Sequence, residues 1–110
     1  MKPFNVAINF SRTPSARTEH EGQHPGEQLR KLLIPLLKDA IEHSEKLQIN
    51  LDGTFGYGTS FLEETFGGLI REEGFSLEQL KSTLDFVSEE EPDLIDEIWS
   101  DINDAAKNEK

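Results

Sequence analysis

Apolar positions along the chain change their period several times, and each change marks an element. Phe4, Val6, Ile8 and Phe10 alternate with Asn5, Ala7 and Asn9, the period of two that predicts a strand with one buried face. Ser11 to Gly26 is polar and holds Pro14, Gly22, Pro25 and Gly26. It predicts a long loop, with room for a short edge strand near residues 16–19, and a loop of that length in a compact domain is often functional. From Glu27 to about Glu45, Leu29, Leu32, Leu33, Leu36, Leu37, Ala40 and Ile41 fall at helical spacing. Pro35 sits inside this stretch and predicts a kink or two abutting helices, because it removes one backbone donor.

Leu47, Ile49 and Leu51 alternate with Gln48, Asn50 and Asp52, so a second strand follows. Gly53, Gly56 and Gly58 then punctuate a loop free to take backbone angles closed to other residues. Ser60 followed by Glu63 matches a capping box and starts a helix near Phe61, which Gly74 stops. Gly67-Gly68 inside that helix costs about 2 kcal/mol relative to two alanines and predicts a close approach. Ser76 with Gln79 repeats the capping pattern before a short helix. Residues 83–88 alternate as a third strand, with Leu84 and Phe86 inward. Pro92 opens a C-terminal helix whose apolar stripe is Leu94, Ile95, Ile98, Trp99, Ile102 and Ala105. The order β-α-β-α-β-α predicts one α/β domain over residues 1–110, a small mixed sheet with helices packed against it.

At 110 residues the chain has the length of one domain and buries roughly two-thirds of its unfolded surface. It holds no cysteine, so neither a disulfide nor a thiolate metal site is available. Without an apolar run near 18 residues or a signal-peptide pattern, it reads as a soluble, cytoplasmic protein that does not enter a membrane. Charge is placed unevenly. Residues 1–55 balance seven basic against seven acidic side chains, whereas residues 56–110 hold four against fifteen and supply the whole net charge of −11. That half repels nucleic acid and anionic lipid, and favours solubility or a basic partner surface.

Candidate chemistry gathers between the second strand and the helix after it. The strand's carboxyl end delivers Thr59 and Ser60 to a helix N-terminus, where anions are favoured. Ser60 either caps its helix or offers its hydroxyl for modification. Phe55 and Tyr57 flank Gly56, so one ring points inward and the other outward; an exposed Tyr57 would anchor a partner protein. The spacing of the loop glycines is neither a P-loop nor a dinucleotide fingerprint and no lysine accompanies it, so no cofactor is expected. His20 and His24 lie four apart beside Glu19 and Glu21, but in a loop and without a third strong ligand, so no metal site is expected. No catalytic arrangement of serine, histidine and acid is legible.

The segments INLDG and GYGTSFLEETFGGLIREEG, with SAR and GEQLRKLLIPLL upstream, resemble the small bacterial STAS-like domains of unknown function. Those are relatives of the anti-sigma-factor antagonists and of the cytoplasmic domain of sulfate transporters. The resemblance covers roughly Phe4 to Ala106 and is most specific around SFLEETFGGL. It implies a STAS-like fold. In the antagonists a serine at the start of the matching helix is phosphorylated by a kinase that is also an anti-sigma factor. By resemblance, Ser60 or Thr59 is the candidate phospho-acceptor, and a histidine-kinase-type ATPase or anti-sigma-type regulator the candidate partner. Here Gly58-Thr59-Ser60-Phe61 stands where the antagonists have an Asp-Ser-Ser-Gly turn. Arg17 matches an arginine of the family. The expectation is a non-enzymatic regulatory domain that binds a protein partner through residues 53–68, using Gly53, Gly56, Tyr57, Gly58 and Glu63 with Arg17. The alternative is a sensor of a small or anionic ligand, with Arg17 and Arg30 supplying positive charge.

Overall fold

Three short strands form the sheet in the computed structural model, which describes residues 2–16 and 25–108. They are β1 (Lys2–Asn5), β2 (Leu47–Asn50) and β3 (Leu84–Val87), in the order β1-β2-β3. Both pairings are parallel, with Phe4, Ile49 and Phe86 side by side. Among the described residues the sheet is therefore parallel throughout, not mixed. Helical connections between successive strands return the chain to the same edge, which parallel pairing requires. The edge strand expected near residues 16–19 is not formed at Ala16, and residues 17–19 lie outside the described residues.

Phe4, Leu47, Ile49, Leu84 and Phe86 are buried on one face of the sheet. Gln48, Asn50, Asp85 and Val87 alternate with them and stay half-exposed. A parallel sheet covered on both faces would read as continuous apolar runs; this one alternates because only one face is fully buried. The first strand is shorter than its alternation suggests. The Asn5 side chain accepts from the Ile8 N–H at 3.0 Å and caps a single helical turn, α1 (Val6–Asn9). Asparagine competes well for such local bonds, so Val6 turns into the core and Ile8 faces solvent.

Helix α2 (Gly26–Glu42) buries Leu29, Leu33, Leu37 and Ala40 along one stripe, and Pro35 is exposed within this single helix, which is not split in two. After β2 come α3 (Thr59–Leu62), one wide π turn (Glu63–Gly67) and α4 (Gly68–Arg71) in direct succession. Then follow α5 (Leu77–Thr83), β3 and α6 (Asp93–Asn108). The π turn packs between α2 and α6 and carries the centre of the core. Phe61, Phe66, Leu69, Ile98 and Ile102 have no exposed surface. The Phe86 ring meets Phe66 and Trp99 edge-on, at 5.4 and 5.6 Å between centroids, the geometry that aromatic quadrupoles favour. No helix among the described residues is long and apolar enough to cross a membrane.

Candidate functional site

The site is the connection that leaves the carboxyl end of β2. Asn50 Oδ1 accepts from the Asp52 N–H at 2.9 Å and turns the chain. The Asp52 carboxylate then accepts from the backbone N–H groups of Glu89 at 3.1 Å and Glu90 at 2.9 Å. In return, the Gly53 N–H donates to the Glu90 carboxylate at 2.9 Å. Neighbouring parallel strands place their carboxyl-end loops together, where α/β sheets commonly put their sites. Gly53 has φ +95 and lies so close to Ala7 that a Cβ would stand 3.2 Å from that methyl group; Gly56 has φ +132. Both need glycine for their backbone. Gly58 does not: its φ is −76, in open space.

Of the two rings flanking Gly56, Tyr57 points inward. Its hydroxyl donates to the Leu51 carbonyl at 2.8 Å and its ring lies 6.1 Å from Phe61. Burial disfavours the charged phenolate and pushes the Tyr57 pKa up to about 12. Tyr57 is therefore a prop for the loop, and the outward ring is Phe55, 86 % exposed. The Phe55 N–H donates to the Arg12 carbonyl at 2.8 Å, so the loop beneath this ring is held.

Thr59 and Ser60 are both exposed in the first turn of α3. Ser60 does not cap the helix. Gly58 occupies the cap position with extended backbone, its carbonyl accepts from the Leu62 N–H at 3.2 Å, and no side chain caps this end. The helix starts earlier than the capping-box pattern implied because Gly58 adopts the cap conformation without needing a side chain. Glu63, the expected reciprocal partner, instead pairs with Arg71 at 2.5 and 3.2 Å.

The π turn behind these hydroxyls is fixed by α2. The Gly68 N–H reaches the Glu63 carbonyl, five residues back, which widens the helix by one residue. Arg30, 6 % exposed, donates from Nη1 to both the carbonyl and the carboxylate of Glu64 at 2.6 Å, and from Nε to Glu73 at 2.9 Å. A Cβ on Gly68 would stand 2.6 Å from Arg30 Nη1, and one on Gly67 would stand 2.5 Å from the Glu63 carboxylate. The close approach expected of this glycine pair is thus to side chains, above all a buried guanidinium, rather than to the sheet.

Gly53, Gly56, Tyr57, Gly58, Thr59, Ser60 and Glu63 thus lie on one connection, and Arg17 lies outside the described residues, as do His20 and His24. Three features escaped the sequence: the exposure of Phe55, the exposure of Ile8 (72 %), and the clasp between Asp52 and the acidic tract. Only the last left a signal, two acidic turns at the ends of adjacent strands. Elsewhere, ligand atoms of Asp39, Glu42 and His43 lie within 4.8 Å of one another at the carboxyl end of α2. Asp39 is bonded to Lys2 and His43 there, and no ligand-directed feature accompanies the group.

A family description of a STAS-like domain of unknown function (DUF4325) matches residues 25–94. The chain belongs to this family. The matched span runs from the start of α2 to the first turn of α6 and contains the whole Gly53–Gly68 connection of this STAS-like domain. Neither the curated proteins nor the solved structures contain a significant match.

Proposed function

We propose that this STAS-like domain is a non-enzymatic regulatory module that binds a protein partner through the loop and helix of residues 53–68. The observation that carries the reading is Phe55: an aromatic ring 86 % exposed on a loop whose backbone is held on both sides. Large rings on preorganised backbone are the usual anchors of protein interfaces. Thr59 and Ser60, exposed four and five residues further on, are accessible to a kinase, and a phosphate there would meet the free N–H groups of the first helical turn. The resemblance to anti-sigma-factor antagonists suggests a histidine-kinase-type ATPase as the partner.

Of the two arginines that the sensor alternative draws on, Arg30 is buried between Glu64 and Glu73 and so has little to offer an incoming anion, and Arg17 lies outside the described residues. The test immobilises wild-type, Phe55→Ser and Ser60→Asp protein and passes source-cell lysate over each. A partner held by wild type and lost from Phe55→Ser supports docking through the loop, and its loss from Ser60→Asp as well supports a phosphorylation switch. Retention on all three surfaces removes the loop from the interface. If wild type retains nothing, the sensor reading takes precedence.

A further inference from the structure

We propose that the carboxyl edge of the sheet docks a basic protein surface, one that sets lysine or arginine side chains against Glu89, Glu90 and Glu91 and an apolar pocket around Phe55. The proposal rests on the partner-binding reading and names the chemistry of that partner. Three connections meet at this edge. Ile8, 72 % exposed, rides on α1; Phe55 rides on the loop after β2; and the exposed Glu89, Glu90 and Glu91 follow β3.

These parts form one surface because the backbone ties them together. Gly53 packs on Ala7 of α1, and the Phe55 N–H is held by Arg12, just beyond that turn. Asp52 accepts from the N–H groups of Glu89 and Glu90, and the Glu90 carboxylate accepts from Gly53. Scattered exposed apolar residues are ordinary. Here they stand on turns already fixed by hydrogen bonds, so little ordering is lost when a partner arrives.

Charge complementarity selects the occupant. Between loop and tract lies a notch of about 20 Å3 whose polar lining is Asp52, Thr54, Tyr57, Ser88, Glu90 and Glu91, with Leu51 and Leu94 beside them. That is the space of one water molecule or one ammonium group, and three of the eight residues around it, Asp52, Glu90 and Glu91, are carboxylic. Residues 56–110 carry the entire net charge of −11, so an acidic partner, a nucleic acid or an anionic membrane is repelled at this edge. A basic surface is steered toward it, and the carboxylates around Phe55 fix its register.

The test compares wild type with Phe55→Ser and with the double variant Glu89→Lys/Glu91→Lys, which leaves the Asp52 and Glu90 clasp intact. Circular dichroism verifies each fold, and Glu89→Gln/Glu91→Gln replaces the double variant if it misfolds. Source-cell lysate is passed over each protein, and a zero-length carbodiimide joins carboxylates to contacting lysines for mapping by mass spectrometry. The expected result is one partner linked through the Glu89–Glu91 tract, with retention reduced at least about tenfold by charge reversal and weakened by about 0.5 M salt. Links confined to Asp96, Glu97 and Asp104 of α6, or retention unchanged by charge reversal but lost with Phe55→Ser, would overturn the basic partner and leave the docking reading standing. No retention by wild type, or equal retention by Phe55→Ser, overturns both.

Discussion

Ser60 and Ser76 stand in the same local pattern, each followed three residues later by Glu or Gln, yet only Ser76 is a cap. Its hydroxyl accepts from the Gln79 N–H at 3.1 Å while the Gln79 side chain accepts from the Ser76 N–H at 2.9 Å. Ser76→Ala should therefore lower stability by about 1 kcal/mol, whereas Ser60→Ala should change it by less than about 0.5 kcal/mol. Urea denaturation of the two variants checks the contrast, and equal losses would restore the capping role of Ser60. Tyr57, the only tyrosine in the chain, allows an unambiguous pH test. Its folded pKa of about 12 lies above the usual value of 10.0. The unfolded chain therefore loses the phenolic proton first as pH rises. The contribution of Tyr57 is present in full below about pH 10 and is lost as pH climbs toward about 12. Spectrophotometric titration of the phenolate should show a midpoint near 12 in the folded protein, and a midpoint near 10 would contradict the burial of the ring.

Three glycines, two in the helix from Thr59 to Arg71 and one at the start of α2 packed against it, differ in consequence. A Cβ on Gly26 would meet the Phe61 carbonyl at 2.6 Å, a backbone atom at the centre of the core that cannot yield. On Gly68 it would meet a buried guanidinium held by two carboxylates; on Gly67 it would meet the far end of the half-exposed Glu63 side chain, which is paired with Arg71 near the surface. Gly26→Ala should be most destabilising, by about 3 kcal/mol, and Gly68→Ala intermediate, by about 1–2 kcal/mol. Gly67→Ala should be near neutral, because the glutamate moves aside and alanine favours the helix by about 1 kcal/mol. Denaturant midpoints for the three variants give the order directly, and a Gly67→Ala loss as large as that of Gly26→Ala would sink it. The sequence marked Gly67-Gly68 as a close approach. It did not show that the neighbour is Arg30 of α2, or that the helix widens by a π turn there, since both depend on residues more than thirty positions away.

At the scale of the molecule, the dominant long-range term is self-repulsion from a net charge of −11. Several of the ion pairs, such as Lys2–Asp39 and Arg71–Glu63, involve side chains more than a quarter exposed and are worth little individually. Raising salt from about 0.02 to about 0.3 M should therefore raise Tm, because screening relieves more repulsion than attraction; a fall in Tm on calorimetry would show that the Arg30 and Arg71 networks outweigh the net charge. The element order, the three strands, the capped start of α5, the buried stripes of α2 and α6 and the uneven charge all follow from the sequence alone, because each depends on spacing within a few residues. Tertiary structure decided the rest. It ended β1 at Asn5, moved the helix start from Ser60 to Gly58, turned Tyr57 inward and Phe55 outward, and brought Asp52 against Glu89 and Glu90. The end of β1 rests on a local hydrogen bond of Asn5 that competes with the strand, and the others on which loops meet at adjacent strand ends, contacts that do not exist until the parallel sheet has formed.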